Sequence, residues 1–86
     1  MNNLEKVLKA LANKRRLAII KYLKRVKEAS VGEIAAEIGL SFKSTSRHVR
    51  ILLTALILER DQRALSVYYY VSKDTSALLK LILSML

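Results

Sequence analysis

The chain has 86 residues and no cysteine, which is enough for one small domain. Disulfides and thiolate-bound metals are excluded, and with a single histidine so is a zinc finger. Sixteen Lys and Arg against seven Asp and Glu give a net charge of +9, the balance of a protein that meets a polyanion.

Leu4, Val7, Leu8 and Leu11 recur at the spacing of an amphipathic helix, with Asn2 or Asn3 as candidate caps. Asn13 is placed to cap a second helix with Leu17, Ala18, Ile19, Ile20, Leu23 and Val26 inward and Lys21, Lys24, Arg25 and Lys27 solvated. Lys14, Arg15 and Arg16 stand at its positive end, which disfavours them without a partner, so a surface or salt-bridge role is expected. Ser30-Val31-Gly32-Glu33 has the form of a capping box and opens a third helix with Val31, Ile34, Ala35 and Ile38 inward. Gly39 is placed to end it in the left-handed conformation. A tight turn at Leu40 leads to a fourth helix from Ser41.

On that fourth helix, Val49, Leu52, Leu53 and Leu56 fall within about 80° of Thr45, with Phe42 on the same side. Lys43, Arg47, Arg50 and Thr54 lie opposite, Ser44 and Ile51 on one shoulder, and Ser46 and His48 at the edges of the apolar stripe. Ser41–Thr54 contains no acid. A helix, a tight turn and a helix with an apolar back and a cationic, hydroxyl-bearing front form the layout of a helix-turn-helix. Ile57–Arg60 and Leu65–Val71 then read as two strands of a hairpin, or wing, around a polar connector Asp61-Gln62-Arg63-Ala64. A last helix over Asp74–Leu86, capped by Ser72 or Asp74, turns Leu78, Leu79, Ile82, Leu83 and Leu86 to one side. Tyr68, Tyr69 and Tyr70 suit core packing with wet hydroxyls better than base stacking.

The charge is uneven: residues 1–27 hold nine Lys/Arg and one Glu, residues 28–86 seven Lys/Arg and six acids. No proline, repeat or low-complexity tract divides the chain, so residues 1–86 are expected to form one domain. No run reaches the ~18 apolar residues of a spanning helix. No basic-then-apolar leader opens the sequence, and a cytoplasmic location is expected.

The run Leu8-Lys9-Ala10-Leu11-Ala12-Asn13-Lys14-Arg15-Arg16-Leu17-Ala18-Ile19-Ile20-Lys21-Tyr22-Leu23 resembles the opening of ArsR-type winged-helix repressors. Ile34-Ala35-Ala36-Glu37-Ile38-Gly39-Leu40-Ser41, then Ser44-Thr45-Ser46-Arg47-His48-Val49-Arg50-Ile51-Leu52, is similar to that family's helix-turn-helix. Val67-Tyr68-Tyr69-Tyr70-Val71 is similar to the strand after its wing. The resemblance covers Leu4 to Val71. It implies a repressor, which the residues themselves do not show. The family's metal sensors often carry Cys-x-Cys-Asp on the third helix; Ser30, Gly32 and Glu33 stand there, so no metal sensing and no cofactor are expected. Leu56 and Ala64 occupy two positions where the family often has glycine. Without glycine at its tip the wing is expected to be longer or less regular than a tight hairpin.

The expected fold is mainly α with a small β-hairpin: a winged helix-turn-helix of five helices and a two-stranded wing. The expected function is that of a sequence-specific regulator of transcription, probing double-stranded DNA as a homodimer on a pseudo-palindromic operator. Ser41, Lys43, Ser44, Ser46, Arg47, His48, Arg50, Arg60 and Arg63 are the candidate DNA-binding residues, with Arg60 and Arg63 offset by Glu59 and Asp61. Leu4, Val7, Leu8, Leu11, Leu78, Leu79, Ile82, Leu83 and Leu86 are the candidate dimer interface. The alternative is a winged-helix module for protein interaction or non-specific nucleic-acid binding. An enzyme is not expected, because no phosphate loop, paired carboxylates or nucleophile arrangement is present.

Overall fold

A computed structural model describes residues 2–73 and 77–86, and the side chains of residues 4–73 and 80–86. The elements run α1 (Asn2–Leu11), α2 (Lys14–Val26), α3 (Val31–Ile38), α4 (Phe42–Thr54), β1 (Leu58–Arg63), β2 (Ser66–Val71) and α5 (Ala77–Ser84). The winged helix-turn-helix expected from the sequence is the fold observed. Among the described residues no helix is long and apolar enough to cross a membrane.

The local signals act as their chemistry requires. Asn13 Oδ1 accepts from the backbone amides of Arg15 (2.9 Å) and Arg16 (3.1 Å), satisfying two orphan donors of α2. Ser30 and Glu33 form the reciprocal capping box of α3. Gly39, at φ 66°, ends α3 in the left-handed region where a side chain is strained. Ser41 then caps α4 by accepting from Ser44 N–H at 3.1 Å. Candidate caps Asn2, Asn3 and Asp74 lie outside the described side chains; Ser72 Oγ donates to Glu59 Oε2 at 2.7 Å.

One apolar cluster joins the elements. Ile19, Ile20 and Leu23 of α2, Ile34 of α3, Val49 and Leu52 of α4, and Ile57 and Leu58 at the start of the hairpin are its largest buried side chains. Leu11 is buried with them, while Val7, Ile82, Leu83 and Leu86 are half-buried against them. Ala18, expected inward, is exposed. Lys24, expected in solvent, is half-buried and donates to the Leu83 carbonyl, tying α5 to α2. Ala29 pairs with Tyr69 through both backbone bonds (3.1 and 2.8 Å) and so extends the hairpin by one bridge toward α3.

Two side chains assigned inward on α4 point out. Phe42 is 63% exposed. It occupies the first helical position, and helical side chains lean toward the N-terminus, so its ring overhangs the turn before α4 rather than the core. Leu56 is 66% exposed. The helix has ended at Thr54, buried Ala55 takes the inner place, and Leu56 swings outward at φ 63°. That reversal delivers Ile57 and Leu58 to the core.

The wing also departs from expectation. It is a tight hairpin in which Arg63 pairs with Ser66 across the two-residue loop Ala64-Leu65. Asp61, Gln62 and Arg63 belong to β1 rather than to a connector. Ala64 adopts φ 54° without being glycine. The short turn thus forms at the cost of local strain, which the paired strands hold in place.

A polar clamp links α1, α2 and α4. From the first turn of α2, Arg16 Nε donates to the Ala10 carbonyl (2.5 Å) and Nη2 to the Lys9 carbonyl (3.2 Å). These groups lie at the end of α1, where carbonyls lack helical partners. Nη1 lies 3.1 Å from His48 Nδ1 on α4. A guanidinium only donates, so Nδ1 accepts and the imidazole in this contact is neutral. Burial, then the charges of Arg16, Arg15 and Arg47, hold the His48 pKa below its ordinary value of 6.5. The surface or salt-bridge role expected for Arg16 is replaced by this bonding to carbonyls and imidazole.

This geometry carries three predictions. Leu56→Gly removes left-handed strain at an exposed site. After the extra chain entropy of glycine it should stabilise by about 0.5–1 kcal/mol, read as a higher urea midpoint at fixed protein concentration. Arg16→Ala should destabilise on the order of 1.5–3 kcal/mol, the scale of hydrogen bonds to a charged group. The unfolded chain protonates His48 before the folded one does. Stability is therefore unaffected above about pH 6.5 and falls as pH drops from there toward the folded-state value. His48→Gln keeps an acceptor that does not titrate, and it should flatten the decline below about pH 6.5. Parallel slopes for His48→Gln and the parent would refute the clamp's role.

Candidate nucleic-acid interface

The burial of Thr45, Val49 and Leu52 fixes the rotation of α4 about its own axis. Residues half a turn away must then face solvent, and Lys43, Arg47, Arg50 and Thr54 do. The helix is 13 residues long, about 20 Å at 1.5 Å per residue. It can lie in a major groove about 12 Å wide.

Lys43, Arg47 and Arg50 share a shallow surface depression with Phe42 and Ser46. Among the described residues no ion pair engages any of these three cations. Three cations elsewhere are paired: Arg25 meets Glu37 at 3.2 Å, Lys9 meets Glu5 at 3.6 Å, and Arg63 meets both Glu28 and Asp61. Three unpaired cations on one face of a helix that carries no acid are suited to an anionic partner. Arginine can bond guanine O6 and N7 in a fork, while lysine acts as a point charge on phosphate.

The hydroxyls divide by position. Ser41 is exposed but its oxygen already accepts the capping bond, so its remaining capacity is as a donor. Ser44 and Ser46 are half-buried on the flanks of the helix. Thr45 Oγ1 is fully buried with no hydrogen-bond partner, so its packing is that of a valine-shaped residue. His48 is half-buried; with Nδ1 accepting from Arg16, Nε2–H remains as the donor of the ring.

The hairpin separates its two candidates. Arg63 lies 4.1 Å above the Tyr68 ring and is held between Glu28 (2.5 Å) and Asp61 (3.3 Å). Arg60 lies on the other face of the hairpin, opposite Tyr69, and is exposed. The three tyrosines are all half-buried. Tyr69 packs on the core, Tyr68 supports Arg63, and the Tyr70 hydroxyl reaches Glu59 at 3.5 Å. The sequence did not single out Phe42 or the Arg16–His48 link for the site. The first was assigned to the core by its angle; the second had one hint, a cation placed where the α2 dipole opposes it.

The residues at the metal-sensor positions do not fit a metal. Ser30 and Glu33 are bonded to each other's backbone in the capping box, and neither supplies a soft ligand. Among the described residues no group of three or more His, Cys, Asp or Glu side chains could hold an ion.

Three solved structures are similar over nearly the whole chain. HlyU from Vibrio cholerae is 31% identical with a TM-score of 0.82, the match covering 98% of this chain and 87% of that one. A transcriptional regulator HlyU from Vibrio vulnificus is 36% identical with a TM-score of 0.74, covering 95% and 85%. Mb0332 from Mycobacterium bovis, described as a homodimeric winged helix-turn-helix DNA-binding domain and a possible ArsR-family transcriptional regulator, is 28% identical with a TM-score of 0.85, covering 98% and 78%. No curated protein sequence matches the chain significantly. The family model described as "Bacterial regulatory protein, arsR family" matches residues 13–59, more than half of the chain. With its winged helix-turn-helix fold, the chain therefore belongs to the ArsR family of DNA-binding transcriptional regulators.

Proposed function

We propose that this regulator is one 1–86 domain that reads a pseudo-palindromic operator as a homodimer and represses transcription by occupying it. The observation that carries the reading is the unpaired cationic face of α4: exposed Lys43, Arg47 and Arg50, with no acid on the helix. Arg47 and Arg50 are the assigned base readers. Lys43, Ser41, Ser44, Ser46 and the His48 Nε2–H are assigned to phosphate, as is Arg60 from the wing. Arg63 has a supporting role, because its charge is already engaged by Glu28 and Asp61. The repressor sign comes from the family resemblance.

Dimerisation is assigned to α1 and α5. Leu4 (36%) and Leu8 (46%) on α1, Leu81 (59%) on α5 and Met85 (77%) just after it leave apolar surface exposed. Leu11 is removed from the candidate interface because it is buried in the monomer core. Val7, Ile82, Leu83 and Leu86 border it from half-buried positions, and Leu78 and Leu79 lie outside the described side chains. The homodimer described for Mb0332 supports dimerisation as such, and the exposed apolar side chains carry the assignment to α1 and α5. Two α4 helices about one DNA turn apart, ~34 Å, would face successive major grooves. Metal sensing is not part of the reading, since Ser30 and Glu33 already serve as the α3 cap.

A duplex selected from a random pool tests the site. Arg47→Ala and Arg50→Ala should each weaken binding by about 1–3 kcal/mol, and neither EDTA nor zinc should shift the isotherm. Full affinity in the double variant would remove the assigned reading face. Equal affinity for every duplex would favour the non-specific module instead. Leu8→Glu with Leu81→Glu changes two exposed side chains and should yield a folded monomer in sedimentation with at least 10²-fold weaker operator binding, since one half-site is lost. A dimer that persists in this variant would move the interface elsewhere.

A further inference from the structure

The chain contains one phenylalanine, and the fold leaves it 63% exposed at the first position of α4. Nothing in the core requires it there, and an apolar ring in water is a standing cost. Phe42, Ser46 and Arg50 follow one another at intervals of four along the helix, with Lys43 and Arg47 in the adjacent row, and all five line one depression. The ring is thus set among cations and a hydroxyl, with no acid on its helix. It is an isolated apolar group and not part of a wide patch, which argues against a protein partner docking on it.

The first turn of a helix lying in the major groove is the part that approaches base edges. The groove offers one apolar feature there, the C5-methyl of thymine. We propose that Phe42 is a specificity-determining residue, and that its ring packs on the thymine methyl of one base pair in each half-site. This rests on the operator-reading function proposed above. Lys43, Arg47 and Arg50 hold the helix in the groove, and Phe42 adds a preference that neither phosphate contact nor a guanidinium fork supplies. An exposed side chain at this position contributes little to the fold, so selection on it can act through the DNA.

The test uses the tightest duplex recovered by the intact protein from a random pool, with each thymine replaced in turn by uracil, which deletes the methyl alone. A single replacement in one half-site should weaken binding about 4-fold, the equivalent of one buried methyl group. Phe42→Ala should bind the parent duplex more weakly and lose the distinction between thymine and uracil at that position only. Phe42→Leu, still apolar, should recover part of it. Unchanged thermal unfolding of both variants would confirm that the fold is intact. If Phe42→Ala keeps the parent's uracil profile at every position, the assignment to Phe42 fails while operator reading stands. A preferred sequence with a flat uracil profile likewise overturns Phe42 alone. Recovery of no preferred sequence overturns operator reading, and this inference with it.

Discussion

The burial of Val49 and Leu52 against the α2 and α3 side of a single core is the constraint from which the exposed surface follows. These residues are 1% and 0% exposed, as are Ile19, Ile20, Leu23 and Ile34 within the same cluster. An α-helix has no freedom to present its faces separately. Once Thr45, Val49 and Leu52 are inside, the outward direction of Lys43, Arg47 and Arg50 is settled at 100° per residue. The core therefore defines the cationic face, and no polar contact is needed to hold those three side chains in place. That is why they can remain unpaired without loss to the fold.

Rotation about its axis does not fix the tilt of α4, and here the Arg16 clamp matters. Its guanidinium joins the last carbonyls of α1 to the imidazole of α4. The bonds span three helices with one rigid, planar group, which lysine could not do. If α1 is part of the dimer contact, the same group lies between that contact and the reading face. The clamp also explains how His48 can sit beside Arg15, Arg16 and Arg47: it is neutral, so no like charge is forced against another.

The fold was legible in the sequence wherever a local pattern decides structure. Asn13, Ser30 with Glu33, Gly39 and Ser41 act within four residues of themselves, and each begins or ends a helix where expected. What was illegible depended on position relative to an end or on distant partners. The helical wheel assigns Phe42 and Leu56 to the apolar side because it treats the helix as endless. One stands at the first turn and the other beyond the last. The tight hairpin turn was illegible because turn statistics count the strain at Ala64 but not the six-residue strands that oppose it. Arg16 and His48 are 32 positions apart, and no periodicity connects them. For the candidate site, the cations of α4 could be read directly, while the engagement of Arg63 by Glu28 required the fold.

The disposition of charge limits how this domain can hold DNA. Of the two wing arginines, Arg63 is already neutralised by two carboxylates and supported on Tyr68. Releasing it to a phosphate would trade formed ion pairs for a new one, with little net gain. The wing then offers Arg60, and α4 offers three cations. Each phosphate neutralised contributes a salt-dependent share of affinity, so a handful of contacts per protomer is a weak hold on its own. Joining two such surfaces raises avidity without a new contact, provided that the spacing matches the groove repeat. In the dimer proposed above, exposed Leu4, Leu8, Leu81 and Met85 would set that spacing. In the proposed assembly, the apolar ends of the chain thus have as much bearing on which DNA is bound as the cations that touch it.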